Sequence, residues 1–249
     1  MRQVLAELPD PLPQVLPVSA DLRHRLARVL RMQPGTNVVL GDGRGRRAHA
    51  RFAGSTFGEL SSLPTAPAEP VALTLACAVL KGDRFDWLVE KAAELGVACI
   101  QPLQTDHAVV RALGPGAASK QQRWQAVATE AFEQCGRPWC TEVRPPLAFA
   151  DWMAQRSNAV PLVACDERMP PLWLGDWVSG LPGCQGPRAI EIVIGPEGGL
   201  SEAERAALDS AGAAQVWIAL SVLRAETAAL AAAVIALAPL TIKKERTPC

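Results

Sequence analysis

The chain has 249 residues, 49% of them apolar and 20% charged, an ordinary globular composition that suits one large or two small domains with a sizeable core. Its 25 Lys and Arg balance its 25 Asp and Glu. Residues 1–69, however, carry nine basic and six acidic groups against sixteen and nineteen in 70–249, so the positive excess sits at the N-terminal end, where it hints at a polyanionic partner. No signal-type apolar core follows Met1-Arg2-Gln3-Val4, and the longest apolar run, 228–240, is shorter than the ~20 residues that span a bilayer. The seven scattered cysteines offer one close pair, Cys135 and Cys140, at a spacing unlike a zinc site. The expectation is a cytoplasmic protein with structural thiols, no membrane and no metal.

Residues 1–69 read as a small β-rich domain with one helix. Leu22, Leu26, Val29 and Leu30 recur at helical spacing over 21–31, with His24, Arg28 and Arg31 on the opposite face and Pro34-Gly35 as the stop. Val38-Val39-Leu40 is a strand and Gly41-Asp42-Gly43 a hairpin-like turn, with Arg44, Arg46, Arg47 and Arg51 on or just after it. Guanidinium forks bind phosphate oxygens bidentately, so this face can meet a nucleic-acid backbone; a merely solvated basic face is equally open. Phe52 and Phe57 are the only aromatics here, which gives base stacking little support. The proline-rich stretch 61–70 reads as a linker, dividing a first domain, 1–69, from a second, 70–249.

Beyond it strands and helices alternate. Apolar residues 71–80 form a strand buried on both faces. Asp83 can cap a helix through Leu95, stopped by Gly96. Strand 97–103 follows, then a helix 120–135 capped by Ser119 and ended by Gly136, a short helix 151–155, strand 160–165 and a loop over 170–187. The last third reads strand 189–194, helix 201–211, strand 215–220 and helix 225–238. This order predicts an α/β domain with a mostly parallel sheet, whose ligands bind beyond the carboxyl ends of the strands.

Two stretches lie at such ends. The first is Ile194-Gly195-Pro196-Glu197-Gly198-Gly199, followed by Leu200-Ser201-Glu202-Ala203-Glu204. Its glycines allow close backbone approach, and Ser201 with Glu204 forms a capping box. A glycine loop before a helix often holds phosphate, but Glu197 at its centre repels anions and no Lys-Ser/Thr pair follows, so it is not a P-loop. An uncharged ligand part such as an adenosine, held by main-chain groups, fits better; a plain tight turn is the alternative. The second stretch is Val222-Leu223-Arg224-Ala225-Glu226-Thr227-Ala228. Glu226 is favoured by the helix dipole, and Arg224 either meets a carboxylate or points at an anionic substrate. The helix that follows is apolar on all sides, as for one buried in the domain or against another subunit.

IGPEGGLSEAE followed about 25 residues later by VLRAETAAL resembles the RsmE family of SPOUT RNA methyltransferases. His24 with Arg28-Val29-Leu30-Arg31, Lys81, Lys91 with Glu94-Leu95-Gly96-Val97, and Glu133-Gln134-Cys135-Gly136-Arg137 are similar to further signatures of that family, so the likeness spans most of the chain. It implies a PUA-like β-barrel RNA-binding domain at 1–69 and, at 70–249, a mostly parallel α/β methyltransferase domain with a C-terminal trefoil knot. It implies S-adenosyl-L-methionine as methyl donor, a homodimer, and methylation of uridine N3 in 16S ribosomal RNA of the small subunit. On it, Ile194 to Gly199, Ile218, Ala219, Leu220, Val222, Leu223, Ala225 and Thr227 would hold the cofactor. His24, Arg28, Arg31, Arg44, Arg46, Arg47, Lys81 and Arg137 would meet RNA. Two departures stand out: Ala219 replaces a usual glycine, and a Ser/Thr-x-Arg-like segment reads Thr105-Asp106-His107, with Arg111 further on.

Arg224 and Glu226 are the candidate catalytic residues. Arg224 would stabilise charge on the uracil carbonyls, and Glu226 would orient it or act as base. The rival readings are a SPOUT ribose 2′-O-methyltransferase and a non-catalytic RNA-binding assembly factor. A Rossmann-type enzyme fits poorly, because its glycine loop follows the first strand of its domain, not a late one.

Overall fold

Along residues 47–52, Ala48, Ala50 and Phe52 are buried while Arg47, His49 and Arg51 are not, the two-residue period of a strand with one face on a core. The computed structural model in which this is seen describes residues 1–69, 71–168, 170–181 and 188–241. The chain divides into two units, Met1–Ala68 with Thr129–Cys140, and Glu69–Ala128 with Thr141–Cys249.

The first unit contains β1 (Arg2–Leu5), β2 (Leu16–Pro17), α1 (Ala20–His24), β3 (Asn37–Gly41), β4 (Arg47–Phe52) and β5 (Thr56–Ser62). They form one mixed sheet in the order β1-β3-β4-β5-β2, parallel only between β1 and β3. It is a PUA-like half-barrel. Its core joins Val4, Leu26, Val38, Leu40, Phe52 and Phe57. Ser19 accepts from Leu22 N and starts α1, but from Arg25 to Val29 the turn widens to a π-helix, with Leu30 N donating to Arg25 O at 3.0 Å. The single regular helix expected over 21–31 is therefore corrected: the wider turn leaves Leu26 buried but rotates Val29 into solvent.

Segment 129–140 completes this unit. The buried Glu133 carboxylate accepts from Leu5 N at 2.9 Å and pairs with Arg25, and Gln3 Nε2 donates to the carbonyls of Phe132 and Arg137 at 3.2 and 2.8 Å. The GluGlnCysGlyArg signature thus has a structural member in Glu133, which satisfies a strand amide that would otherwise be orphaned.

The second unit contains β6 (Val71–Ala78), α2 (Arg84–Leu95), β7 (Cys99–Gln104), α3 (Ala117–Cys135, its last turns counted with the first unit), β8 (Glu142–Val143), β9 (Leu147–Ala148), α4 (Phe149–Gln155), β10 (Leu162–Cys165), β11 (Leu172–Trp173), α5 (Leu174–Gly180), β12 (Arg188–Ile194), α6 (Glu202–Ser210), β13 (Ala214–Trp217) and α7 (Ala225–Thr241). The sheet runs β11-β13-β10-β12-β6-β7-β8 with β9 beside β7, every pairing parallel. On it, α4 and α6 enclose a core with Ala76, Leu103, Phe149, Trp152, Ala164, Val193 and Leu208. Helices α2 and α5 each pack on α7, which also packs on β6 and β12.

Several boundaries move. Ser61 and Ser62 of the expected linker belong to β5, because the strand pairs with β4 as far as Ala48↔Ser62, and Pro70 lies outside the described residues. Ser119 is inside α3 rather than its cap, since Lys120 N already donates to Gly116 O. Asp83 stands at the start of α2 without a side-chain cap and faces Arg123 instead, while Gly96 ends the helix in the left-handed region at φ 90°. The loop expected over 170–187 holds β11 and α5, anchored by the buried Leu174 and Val178; residues 182–187 are outside the described part. No helix among the described residues is long and apolar enough to cross a membrane, and these residues hold no cluster able to bind a metal.

Candidate active site

Strand register brings the loops together. Cys165, the last residue of β10, is paired with Ile194 of β12 on one side and Val216 of β13 on the other. The segments leaving these three strands at their carboxyl ends enclose a cavity of about 270 Å³. Its walls are residues 194–200 from the first loop, 218–223 from the second, and Cys165, Asp166 and Glu167 between them, with Arg205, Ala225 and Ala228. Both loops were expected at carboxyl ends of strands, and both lie there; β10 runs between their strands, so a third segment contributes a wall. Sequence reasoning missed it because nothing in residues 165–167 announces which strands flank β10.

Every residue expected to hold the cofactor lines this cavity except Thr227, which is exposed on the first turn of α7. The first loop is braced from several directions. Ser201 Oγ accepts from Glu204 N at 3.2 Å, and Glu204 Oε2 accepts from Ser201 N at 2.8 Å, so the capping box is complete. The buried Glu204 also takes the amide of Asp106 at 2.9 Å, and Ser201 Oγ donates to Asp106 Oδ2 at 2.6 Å. His107 Nδ1 lies 3.0 Å from Gly198 O and 3.1 Å from Gly199 O. Both partners are carbonyls, so the proton sits on Nδ1 and the imidazole donates. In this chain the departing segment Thr105-Asp106-His107 props the glycine loop.

Gly199 adopts φ 70°, and a Cβ there would lie 2.9 Å from Glu167 Oε1 and 3.2 Å from Arg205 Nη2. The left-handed backbone requires glycine, and a side chain there would also have to displace the ends of Glu167 and Arg205. A Cβ at Gly198 would press on His107 Cβ at 3.2 Å. Arg205 donates to Leu200 O at 3.1 Å and to Glu167 at 3.0 Å, and pairs with Asp166, tying the third wall to the first loop. Burial, reinforced by the Asp166 charge, pushes the Cys165 thiol up to about 12, which keeps it a neutral lining group and not a nucleophile.

The candidate catalytic pair is separated. Arg224 precedes α7, its carbonyl accepts from Ala228 N at 2.8 Å, and its exposed guanidinium makes no hydrogen bond or ion pair among the described residues. Glu226 is 8% exposed; Oε1 lies 4.0 Å from Arg84 Nε, and Oε2 is buried without a hydrogen-bond partner. The expectation that Glu226 orients Arg224 is not met in this geometry, since Glu226 faces Arg84. Arg84 also donates to Glu197 Oε1 at 2.7 Å. It went unnoticed in the sequence because its partners lie 113 or more residues away.

The basic residues expected to meet RNA differ in availability. His24, Arg28, Arg31 and Arg44 in the first unit, and Lys81 in the second, are exposed. Arg46 spends its guanidinium on the carbonyls of Leu8 and Pro9 at 2.7 and 3.0 Å. Arg47 and Arg137 are half-buried, and the Arg137 carbonyl accepts from Gln3.

A parallel sheet whose strand ends enclose a nucleoside-sized cavity, in a chain that also carries a PUA-like unit, has the architecture of an RNA methyltransferase. Residues 67–237 match the RNA methyltransferase domain family and residues 21–61 the RNA methyltransferase PUA domain. The ribosomal RNA small subunit methyltransferase E of Synechocystis is 32% identical over 211 residues, 82% of this chain and 67% of that protein. The crystal structure of the enzyme of the same name from Neisseria gonorrhoeae, bound to S-adenosyl methionine, superposes with a TM-score of 0.78 at 31% identity over 95% of this chain and 96% of that one. A putative methyltransferase of Legionella pneumophila in complex with SAM superposes with a TM-score of 0.79 at 28% identity, covering 96% of each chain. The chain belongs to the ribosomal RNA small subunit methyltransferase E family.

Proposed function

We propose that the chain methylates N3 of a uridine in 16S ribosomal RNA, taking the methyl group from S-adenosyl-L-methionine. The observation that carries this reading is the cavity between the two loops, which collects twelve of the thirteen residues expected for the cofactor in a chain akin to cofactor-bound relatives. The residues present fit such a cofactor. Main-chain groups of residues 195–199 suit an adenosine, Ile218, Leu220, Val222 and Leu223 offer apolar cover, and the half-exposed carboxylate of Glu167 suits a cation. When bound, the cofactor supplies an electrophilic sulfonium methyl group.

The chain must do the rest. N3 loses its proton as it gains the methyl group, so negative charge spreads onto the flanking uracil carbonyls. Arg224, exposed and unpaired among the described residues, is suited to stabilise that charge. Glu226, with one carboxylate oxygen lacking a partner, is suited to accept the proton. The base must be unpaired or flipped out to expose N3.

The first domain, 1–69, would bind the RNA backbone through His24, Arg28, Arg31 and Arg44, and Lys81 would assist. The second, 70–249, would carry a trefoil knot: α7 follows β13, which lies two strands beyond β12 in the sheet, yet packs back on β6 and α2. A homodimer would cover Leu220, Val222 and Val234, which are 85%, 80% and 47% exposed. The setting is the cytoplasm, where small subunits assemble.

Reverse transcription of 16S ribosomal RNA tests this, because N3-methyluridine blocks Watson–Crick pairing. Deleting the gene is expected to abolish one strong stop and the N3-methyluridine nucleoside. A persistent stop refutes the reading, and a ribose-methylated product refutes the site of transfer.

A further inference from the structure

Arg84 links the first loop to the start of α7. It opens α2, just beyond the carboxyl end of β6, and reaches two carboxylates. Nη1 donates to Glu197 Oε1 at 2.7 Å, in the middle of the first loop, and Nε lies 4.0 Å from Glu226 Oε1, on the first turn of α7 behind the second loop. The two carboxylates belong to segments separated in the chain by α6 and β13, and they repel each other. A guanidinium presents separate donors in a fixed plane, so it can hold one carboxylate and attract a second, which a single ammonium does less well.

We infer that Arg84 is a positioning residue for methyl transfer, setting the first loop against the start of α7 through Glu197 and Glu226. This rests on the function proposed above. Arg84 is 45% and Glu197 43% exposed, so their pairing adds little to the stability of the fold. Its effect falls on the cavity, because Glu197 lines it and Glu226 immediately follows Ala225, which lines it too. The unpartnered Oε2 of Glu226 is a second sign that this corner is arranged for something other than stability, since a buried polar atom left unpaired is costly.

The test uses the purified full chain, S-adenosylmethionine, and small ribosomal subunits from cells lacking the protein. Arg84→Met should weaken cofactor binding, read by calorimetry, by about tenfold, as for a coupled contact pair. It should raise KM for the cofactor more than it lowers kcat and leave Tm nearly unchanged. Arg84→Lys should recover only part of the affinity. Arg84→Met combined with Glu197→Gln should be no worse than Arg84→Met alone. In the free protein, amide exchange at 197–199 should quicken in Arg84→Met. A wild-type chain that binds no cofactor overturns the proposed function and this inference together. A wild type that binds, with Arg84→Met equal to it in affinity and exchange, overturns the inference alone. So does full recovery by Arg84→Lys, or multiplicative effects of the two substitutions.

Discussion

The first and second loops share one cavity but are held very differently. Residues 195–201 are fixed by a complete capping box, by the Asp106 amide and carboxylate on it, by the His107 imidazole on two carbonyls and by Arg84 on Glu197. Residues 218–223 make no side-chain hydrogen bond among the described residues, and Leu220 and Val222 are largely exposed. The first loop is a preformed wall whose ordering entropy is spent on folding. The second runs between β13 and α7, and its Leu220 and Val222 side chains are open to solvent. Preorganisation of one wall lowers the entropic cost of binding.

Substitutions in the first loop break this contrast most severely. Gly199→Val puts a branched side chain at φ 70° and against Glu167, and calorimetry is expected to show a loss of cofactor affinity of at least ~100-fold. Affinity within threefold of wild type would mean that the wall is not rigid. Next comes Glu204→Ala, which removes the acceptor of two amides in a buried place. It should cost roughly 1–3 kcal/mol and lower Tm by about 2–10 °C, with some loss of cofactor affinity through the displaced loop. An unchanged melting curve would show that the bracing is ornamental. The smallest effect on the fold is expected from Val222→Ser. That side chain is 80% exposed, so Tm should stay within about a degree, while cofactor affinity or self-association drops a few-fold. A large drop in Tm would show that the second loop is as firmly held as the first.

The same contrast separates what could be read in the sequence from what could not. Ser201 with Glu204 marks a helix start within four residues, and the structure contains that cap as written. Gly96 stops its helix for an equally local reason. The alternation of strands and helices is local as well, and it led to a parallel sheet. The bracing of the loop is not local. Arg84, Asp106 and His107 come from strand ends some 90 to 113 residues away, and only the strand order brings them to the loop. Likewise the acidic third wall, Asp166 and Glu167, exists because β10 runs between β12 and β13. The π-helical turn at 25–29 escaped because its residues suit an ordinary helix equally well. The chemistry of the site became legible through several motifs that resemble one family in one order, more than through any single spacing.

The first unit is discontinuous in the chain, and that has a consequence for how it is made. Its sheet lies within the first 62 residues, but the carboxylate that satisfies Leu5 N and pairs with Arg25 is Glu133, 128 residues after Leu5. During synthesis the N-terminal strands emerge long before that partner does. At roughly 5–20 residues per second they wait several seconds or more with one edge amide and one arginine unsatisfied. A chain cut after residue 69 would keep the wait permanently. It is expected to fold poorly or to expose the β1 edge, whereas the N-terminal segment becomes complete only when residue 140 has left the ribosome.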